Sequence, residues 1–233
     1  LPLAPKPKKR LSKQGFSLRY LTMLREVMKK GKEQYAVSHP VCLAGGGSCF
    51  WRTVNMQKVS AKELLDGYAG GKRDFGEIDL READLFEADL REIDLKGSNL
   101  TGVYLPYANL SKANFAGAQL IGAQLSDAKL YHADLSGANL KGANLSRANL
   151  RRANLRGADL SGANLQGANL YDADLCEADL RDADLSRANL ERAKLGKAQM
   201  GGCNCYRARM VDFSQAYLDS RTVLPDGYRG DGA

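Results

Sequence analysis

Histidine occurs only twice in the 233 residues, tryptophan once, and aromatic residues make up 7% of the chain. No apolar run reaches the roughly 18 residues that a transmembrane helix needs, and nothing at the N-terminus reads as a cleavable secretory signal. The chain begins at Leu1, so a targeting peptide already removed would leave no trace. The five cysteines, Cys42, Cys49, Cys176, Cys203 and Cys205, include no Cys-x-x-Cys, and two histidines do not complete a zinc site. Free buried thiols are the default expectation, and a Cys42–Cys49 bridge around "LAGGGS" belongs only to an oxidising compartment. "AGGGSC" lacks the lysine and spacing of a phosphate loop, and no Ser/His/Asp or Cys/His arrangement appears. These absences point to a non-enzyme with no cofactor, no metal and no small-molecule substrate.

Charge is present but uneven. The formal net charge is +7, yet residues 1–35 hold ten Lys or Arg against Glu26 and Glu33, so the rest of the chain sums to about −1. Residues 77–94 carry eight acids with only Arg81 and Arg91, whereas Lys141, Arg147, Arg151, Arg152 and Arg156 follow one another with no acid between them.

From Phe75 to Met210 every fifth residue is Leu, Phe or Met, Cys205 excepted. Two residues before each centre after Phe75 stands a small or β-branched residue, usually Ala, and directly before it, in nearly every repeat, Asp, Asn or another polar residue. Two apolar positions separated by a polar one describe a short half-buried strand, and the five-residue period adds a turn after each. Many copies of such a unit make a solenoid, because each unit buries its apolar face only against its neighbours. Glycine two residues after the centre occurs at 97 and 102, 117 and 122, 137 and 142, and 157 and 162, a pair recurring every twenty residues. Four pentapeptides therefore close one coil. The 28 centres predict about seven coils and a column on the order of 34 Å long.

The units "ADLFEADL", "GANLKGANL" and "DADLCEADL" resemble the A(D/N)Lxx unit of the pentapeptide repeat family. The resemblance implies an all-β solenoid, a right-handed quadrilateral β-helix, and covers about 60% of the chain. "SAKELLDGYAGGKRDF" and "LPDG" are similar to the flanking segments of cyanobacterial and plastid members, which implies a plastid location, stromal or thylakoid-associated, or the cyanobacterial cytoplasm. Family members act mainly through their surfaces, and some mimic DNA to occupy gyrase. A topoisomerase-directed mimic is thus the alternative to an interaction scaffold, but residues 75–218, with nineteen acids and seventeen basic residues, lack the sustained negative charge it needs.

The four faces, named by Leu140, Leu145, Leu150 and Leu155, differ. On the Leu140 and Leu155 faces the turn residue is mostly Gly, which suits a positive φ. On the other two it is bulky or charged, as in Tyr107, Arg147, His132 and Arg152, which predicts turns of another type. Tyr131, Arg151 and Tyr171, twenty residues apart, are predicted to stack on one outer wall and to hold the Arg between two rings by cation–π contacts. The outward Cys176 is the better candidate for a reactive thiol, and Cys203 and Cys205 point inward.

The domain reading is a basic extension over 1–58, a capping helix over 59–72, the repeats over 73–218 and a closing tail over 219–233. Ser60 and Glu63 have the spacing of a capping box, Leu64 and Leu65 offer an apolar contact, and Gly70–Gly71 stop the helix. Pro225-Asp226-Gly227 reads as a turn. "LPLAPKPKKR" is extended, "SLRYLTMLREVMKK" an amphipathic helix, and "SHPVCLAGGGSCFWRTVNMQ" two short strands. Three readings of the arm stand: packing back on the solenoid, docking to a protein partner or large assembly, or lying on an anionic membrane. Nucleic acid fits the charge, but no binding motif accompanies it. The candidate partner-binding residues are Lys6, Lys8, Lys9, Arg10, Lys13, Arg19 and Arg25 in the arm, with Tyr131, Arg147, Arg151, Arg152, Arg156 and Tyr171 on the column.

Overall fold

The computed structural model describes the backbone of residues 36–41, 50–209 and 212–229, and side chains from residue 56 onward within those limits. The extended stretch and amphipathic helix read for the arm lie outside the described residues, as do Cys42 and Cys49. Strands β1 (Ala36–Val41) and β2 (Phe50–Asn55) form a two-stranded sheet. Short β3 (Gln57–Lys58), helix α1 (Ala61–Ala69) and β4 (Ile78–Asp79) follow.

From Asp74 onward each unit is bridged in parallel to the one twenty residues later, as in Asp134 to Asn154 and Asn154 to Asp174. Each coil is therefore four pentapeptides. Down one face, Lys58, Asp79, Asn99, Gln119, Asn139, Asp159, Asp179, Gln199 and Tyr217 are bridged in turn. Those nine levels, the first supplied by β3 and the last by Tyr217, lengthen the column to roughly 38 Å at the ordinary strand spacing.

The unit 144–148 shows why the motif has this composition. The Asn144 N–H donates to Ala123 O in the preceding coil (2.9 Å), while Leu145 and Arg147 donate to Asn164 O and Gln166 O in the following one (2.7 and 2.9 Å). Ala148 N–H closes the turn onto Leu145 O at 3.0 Å. The fifth donor, Ser146 N–H, has no carbonyl to reach, and the Asn144 carboxamide oxygen accepts it at 3.2 Å. A polar group left unpaired there would cost about 1–3 kcal/mol, so the Asp or Asn that precedes most centres satisfies the one N–H that coiling orphans. The same bond recurs at Asp134, Asn154 and Asp174.

Strand alternation turns the centre and the residue two before it inward, and both are buried through almost the whole column. Leu140, Ala143, Leu145, Ala148, Leu150 and Leu155 belong to one continuous core that runs from Leu64 to Ala208. Ser98 is the polar intruder, fully buried; its hydroxyl donates to Phe75 O at 3.1 Å and accepts Ile78 N–H at 3.2 Å.

The expected difference in turn type between faces is not found. Arg147, His132, Tyr107 and Arg187 adopt φ of 57°, 56°, 59° and 60°, beside 62° at Gly142. At these five corners the turn N–H bonds a carbonyl of the following coil in the same way, so the backbone imposes one turn whatever the side chain. Non-glycine residues there carry left-handed strain of about 1–2 kcal/mol. Arg187→Gly is accordingly expected to raise stability by about 0.5–1 kcal/mol, and Gly142→Ala to lower it by a similar amount, in urea denaturation.

Both ends are closed. The Ser60 hydroxyl accepts Glu63 N–H at 3.2 Å, and the Glu63 carboxylate accepts Ser60 N–H at 2.8 Å. Leu64 is fully buried in the core, whereas Leu65 is exposed and makes no such contact, because only one face of this short helix meets the coil. Gly71, at φ 92°, ends α1, with Lys72 N–H on Gly67 O. Tyr68 ties the helix to the first coil through its hydroxyl on Arg91 O at 3.0 Å.

At the far end the twenty-residue step shortens: Gln199 pairs with Tyr217 and Asn204 with Val223. Residues 224–228 then turn at Gly227, and Arg229 bridges back antiparallel on Val223. The Asp219 carboxylate accepts N–H groups of Gly202, Arg221 and Thr222 at 2.8, 2.9 and 3.1 Å. These donors, led by Gly202, lower its pKa to about 2. The sign follows from the depressed folded value: this contribution to stability is full above the unfolded carboxylate range near 3.9 and is lost as pH falls toward 2. An acid titration of wild type against Asp219→Asn should show the final coil of wild type loosening over that window, with the variant flatter there.

Candidate functional site

Outward positions twenty residues apart share a wall. His132 N–H bonds Arg151 O at 3.1 Å and Arg152 N–H bonds Tyr171 O at 2.9 Å, which brings Tyr131, Arg151, Arg152 and Tyr171 together on the Leu150 face. The Arg151 guanidinium lies 4.7 Å from the Tyr171 ring centroid. The predicted two-ring sandwich is not what forms. Tyr131 instead packs edge-on against His132, with centroids 4.3 Å apart. On the far side of Tyr171, Arg192 donates to its hydroxyl at 3.4 Å.

The other column residues are not free charges. Arg147 binds Asp127 in bidentate fashion at 2.8 and 2.7 Å, one coil away. That hydrogen bonding holds the Asp127 carboxyl below the usual range. Arg152 reaches Asp172 at 3.2 Å, Lys112 reaches Glu92 at 2.8 Å, and Arg156 pairs with Glu177 on another corner. These partners lie twenty or twenty-one residues apart, so the charged corners serve the column first, as ladders of exposed ion pairs of about 0.2–1 kcal/mol each. Among the candidate column arginines Arg151 stands apart: its exposed guanidinium lies against a ring and pairs with no carboxylate among the described residues. The arm residues Lys6, Lys8, Lys9, Arg10, Lys13, Arg19 and Arg25 lie outside the described residues.

Cys176 does not suit a reactive role. It is half-buried, and burial first, then a hydrogen bond to Asp174, raises its thiol pKa, which disfavours the thiolate. Cys203 and Cys205 are free, fully buried and 3.7 Å apart at sulfur. Their mutual hydrogen bond and burial push the Cys203 thiol well up. Among the described residues no cluster of His, Cys, Asp and Glu could hold a metal, and no helix is long and apolar enough to cross a membrane.

One surface escaped the sequence reading. Phe86, Tyr104 and Tyr107, all exposed, meet across two coils on the Leu145 face: Phe86 stacks on Tyr104 at 6.1 Å between centroids and meets Tyr107 edge-on at 5.9 Å. Writing the sequence in rows of twenty places Phe86 beneath Pro106 and so exposes the signal.

A parallel, four-sided solenoid with a filled bore and side chains ranked in outer columns defines the class: a solenoid repeat protein. The pentapeptide repeats model matches residues 73–102, 94–130, 128–167 and 168–204, in eight copies, and the chain belongs to the pentapeptide repeat family. Among solved structures it is similar to HetL, a pentapeptide repeat protein involved in heterocyst differentiation regulation in the cyanobacterium Nostoc sp. strain PCC 7120. The identity is 30%, over 73% of this chain and 99% of that one, with a TM-score of 0.35. A pentapeptide repeat protein of the Arabidopsis thaliana thylakoid lumen is 33% identical over 50% of this chain and 74% of its own, with a TM-score of 0.26. QnrB1, a plasmid-mediated fluoroquinolone resistance protein, is 19% identical over 65% and 82%, with a TM-score of 0.48. No curated protein matches the chain.

Proposed function

We propose that the chain is a non-enzymatic protein–protein interaction scaffold: a rigid, right-handed quadrilateral column presents side chains in fixed outer rows, and the basic arm tethers it to a larger assembly. The right hand follows from the strong preference of parallel crossovers. The observation that supports the reading best is Arg151 on Tyr171, an exposed cation biased toward one place on the wall, so that it has less freedom to lose on binding. The filled bore adds to it, since catalysis needs a concave, desolvated site and Leu and Ala occupy the interior. The cyanobacterial and thylakoid-lumen relatives support a photosynthetic setting, with a plastid or cyanobacterial location.

Crosslinking mass spectrometry in native extract tests the reading with three full-length proteins: wild type, a Lys8, Lys9 and Arg10 charge reversal to Glu, and Arg151→Ser. Loss of the recovered partner in the arm variant and weaker recovery with Arg151→Ser are expected. An unchanged partner set in the arm variant would refute tethering. Co-sedimentation with anionic vesicles at low and high salt decides between membrane and protein docking, because a polybasic contact of about 1 kcal/mol per charge fades with salt. A gyrase supercoiling assay at micromolar protein is expected to show no inhibition.

A further inference from the structure

The aromatic cluster at the acidic end carries a second surface. Phe86, Tyr104 and Tyr107 are 48%, 43% and 52% exposed on a column whose other apolar residues are mostly buried. Three rings gathered in solvent mark a contact surface more often than a structural need, since aromatic residues dominate interface hot spots.

The sequence around them is arranged to allow it. Residue 104 stands where Asp or Asn normally caps the next turn, and tyrosine cannot make that bond. The donor it would leave unpaired belongs to residue 106, which is proline and has no N–H. The exchange of cap for ring therefore strands no backbone group. Tyr107 is held edge-on by Phe86, and in its own corner row the charge of Arg147 is already balanced by Asp127.

The rim is acidic. Asp84 is bridged directly to Tyr104 one coil away, and Glu87 precedes Tyr107 by one coil in the same corner row. Glu82, Asp84 and Glu87 are exposed, and no ion pair involves them among the described residues. Aromatic faces attract cations through their quadrupole, and carboxylates beside them add Coulomb attraction and donor partners. A neutral apolar partner would leave those acids desolvated and unmatched, and an acidic one would be repelled.

We propose that the Phe86–Tyr104–Tyr107 surface, with Glu82, Asp84 and Glu87, docks an extended Arg/Lys-rich segment of a partner protein, its guanidinium groups lying against the rings and reaching the rim carboxylates. In an extended segment alternate side chains share one side, so every second residue of the partner is basic. The surface extends the scaffold reading, and rests on it only in taking the partner to be a protein.

Fluorescence anisotropy of a labelled Arg-Ser repeat peptide with the full-length chain tests this, with a Glu-Ser repeat peptide as control. Phe86→Ser combined with Tyr107→Ser is expected to weaken binding at least ~10-fold, as loss of central aromatic anchors does. Glu82→Gln combined with Glu87→Gln keeps the rings and is expected to weaken binding several-fold and to flatten its salt dependence. Arg151→Ser, the variant that tests the other wall, should leave the peptide's affinity unchanged, so failure here is distinguishable from failure of the scaffold reading. Equal affinity of wild type and both double variants, with folding verified by circular dichroism, would overturn the proposal. So would equal binding of the Glu-Ser peptide.

Discussion

Leu150→Ala is expected to lower the unfolding free energy by about 3–4 kcal/mol, close to the upper half of the range for large-to-small core substitutions. Leu150 is fully buried, and its two backbone neighbours along the bore, Leu130 and Leu170, sit one coil on either side and are equally buried. The walls cannot collapse onto a truncated side chain. Leu150 N–H is fixed to Asn169 O at 2.8 Å and its carbonyl accepts Ala153 N–H at 2.9 Å, and every flanking unit is pinned in the same way. A site that cannot relax keeps its cavity, and the cost of lost contacts is added to the transfer term. The outward neighbour Arg151→Ala should cost well under 1 kcal/mol by comparison, because an exposed cation–π contact is worth about 0.5–1 kcal/mol at most. Urea midpoints of the two variants check the contrast, and similar losses would contradict the filled bore.

Thr222→Val is the second large effect, expected at about 2 kcal/mol and confined to the end of the column. Thr222 is fully buried, and its hydroxyl donates to Met200 O at 2.9 Å while accepting Asp219 N–H at 3.1 Å. Valine fills the same space but strands the Asp219 N–H, and it loosens the carboxylate that caps Gly202. Because each coil is stabilised chiefly by its nearest neighbours, the consequence should stay local. Hydrogen exchange of Gly202, Cys203 and Cys205 amides is expected to accelerate, with those of residues 140–160 unchanged. Uniform acceleration along the column would show instead that the coils unfold as one unit.

The twenty-residue coil was legible because glycine pairs recur at that step, and the inward ranks because Leu and Ala hold their positions in most units. What the sequence left hidden concerns the corners. Glycine on two faces suggested two turn types, yet Arg147 and Gly142 adopt nearly the same φ, since inter-coil hydrogen bonding outweighs the residue's own preference. Taken one unit at a time, Arg147, Arg152 and Arg156 have no visible partners, because only the coil brings Asp127, Asp172 and Glu177 against them. The role of the Asp or Asn before most centres is similarly hidden: it emerges only when all five N–H groups of a unit are assigned. The Phe86 cluster joins residues eighteen and twenty-one apart, a spacing that means nothing until the coil length is known.

The most direct test of the stacked column is continuous-wave spin-label spectroscopy on corner glycines, after Cys42, Cys49 and Cys176 have been replaced by serine. Labels at Gly117 and Gly137, both open corners at the same φ-positive position, should lie one coil apart at roughly 5 Å of backbone spacing and show strong dipolar broadening. Labels at Gly137 and Arg147, half a coil apart on opposite corners, should show much less. Broadening that is equal in the two pairs, or greater in the second, would contradict a square column with twenty residues to the coil.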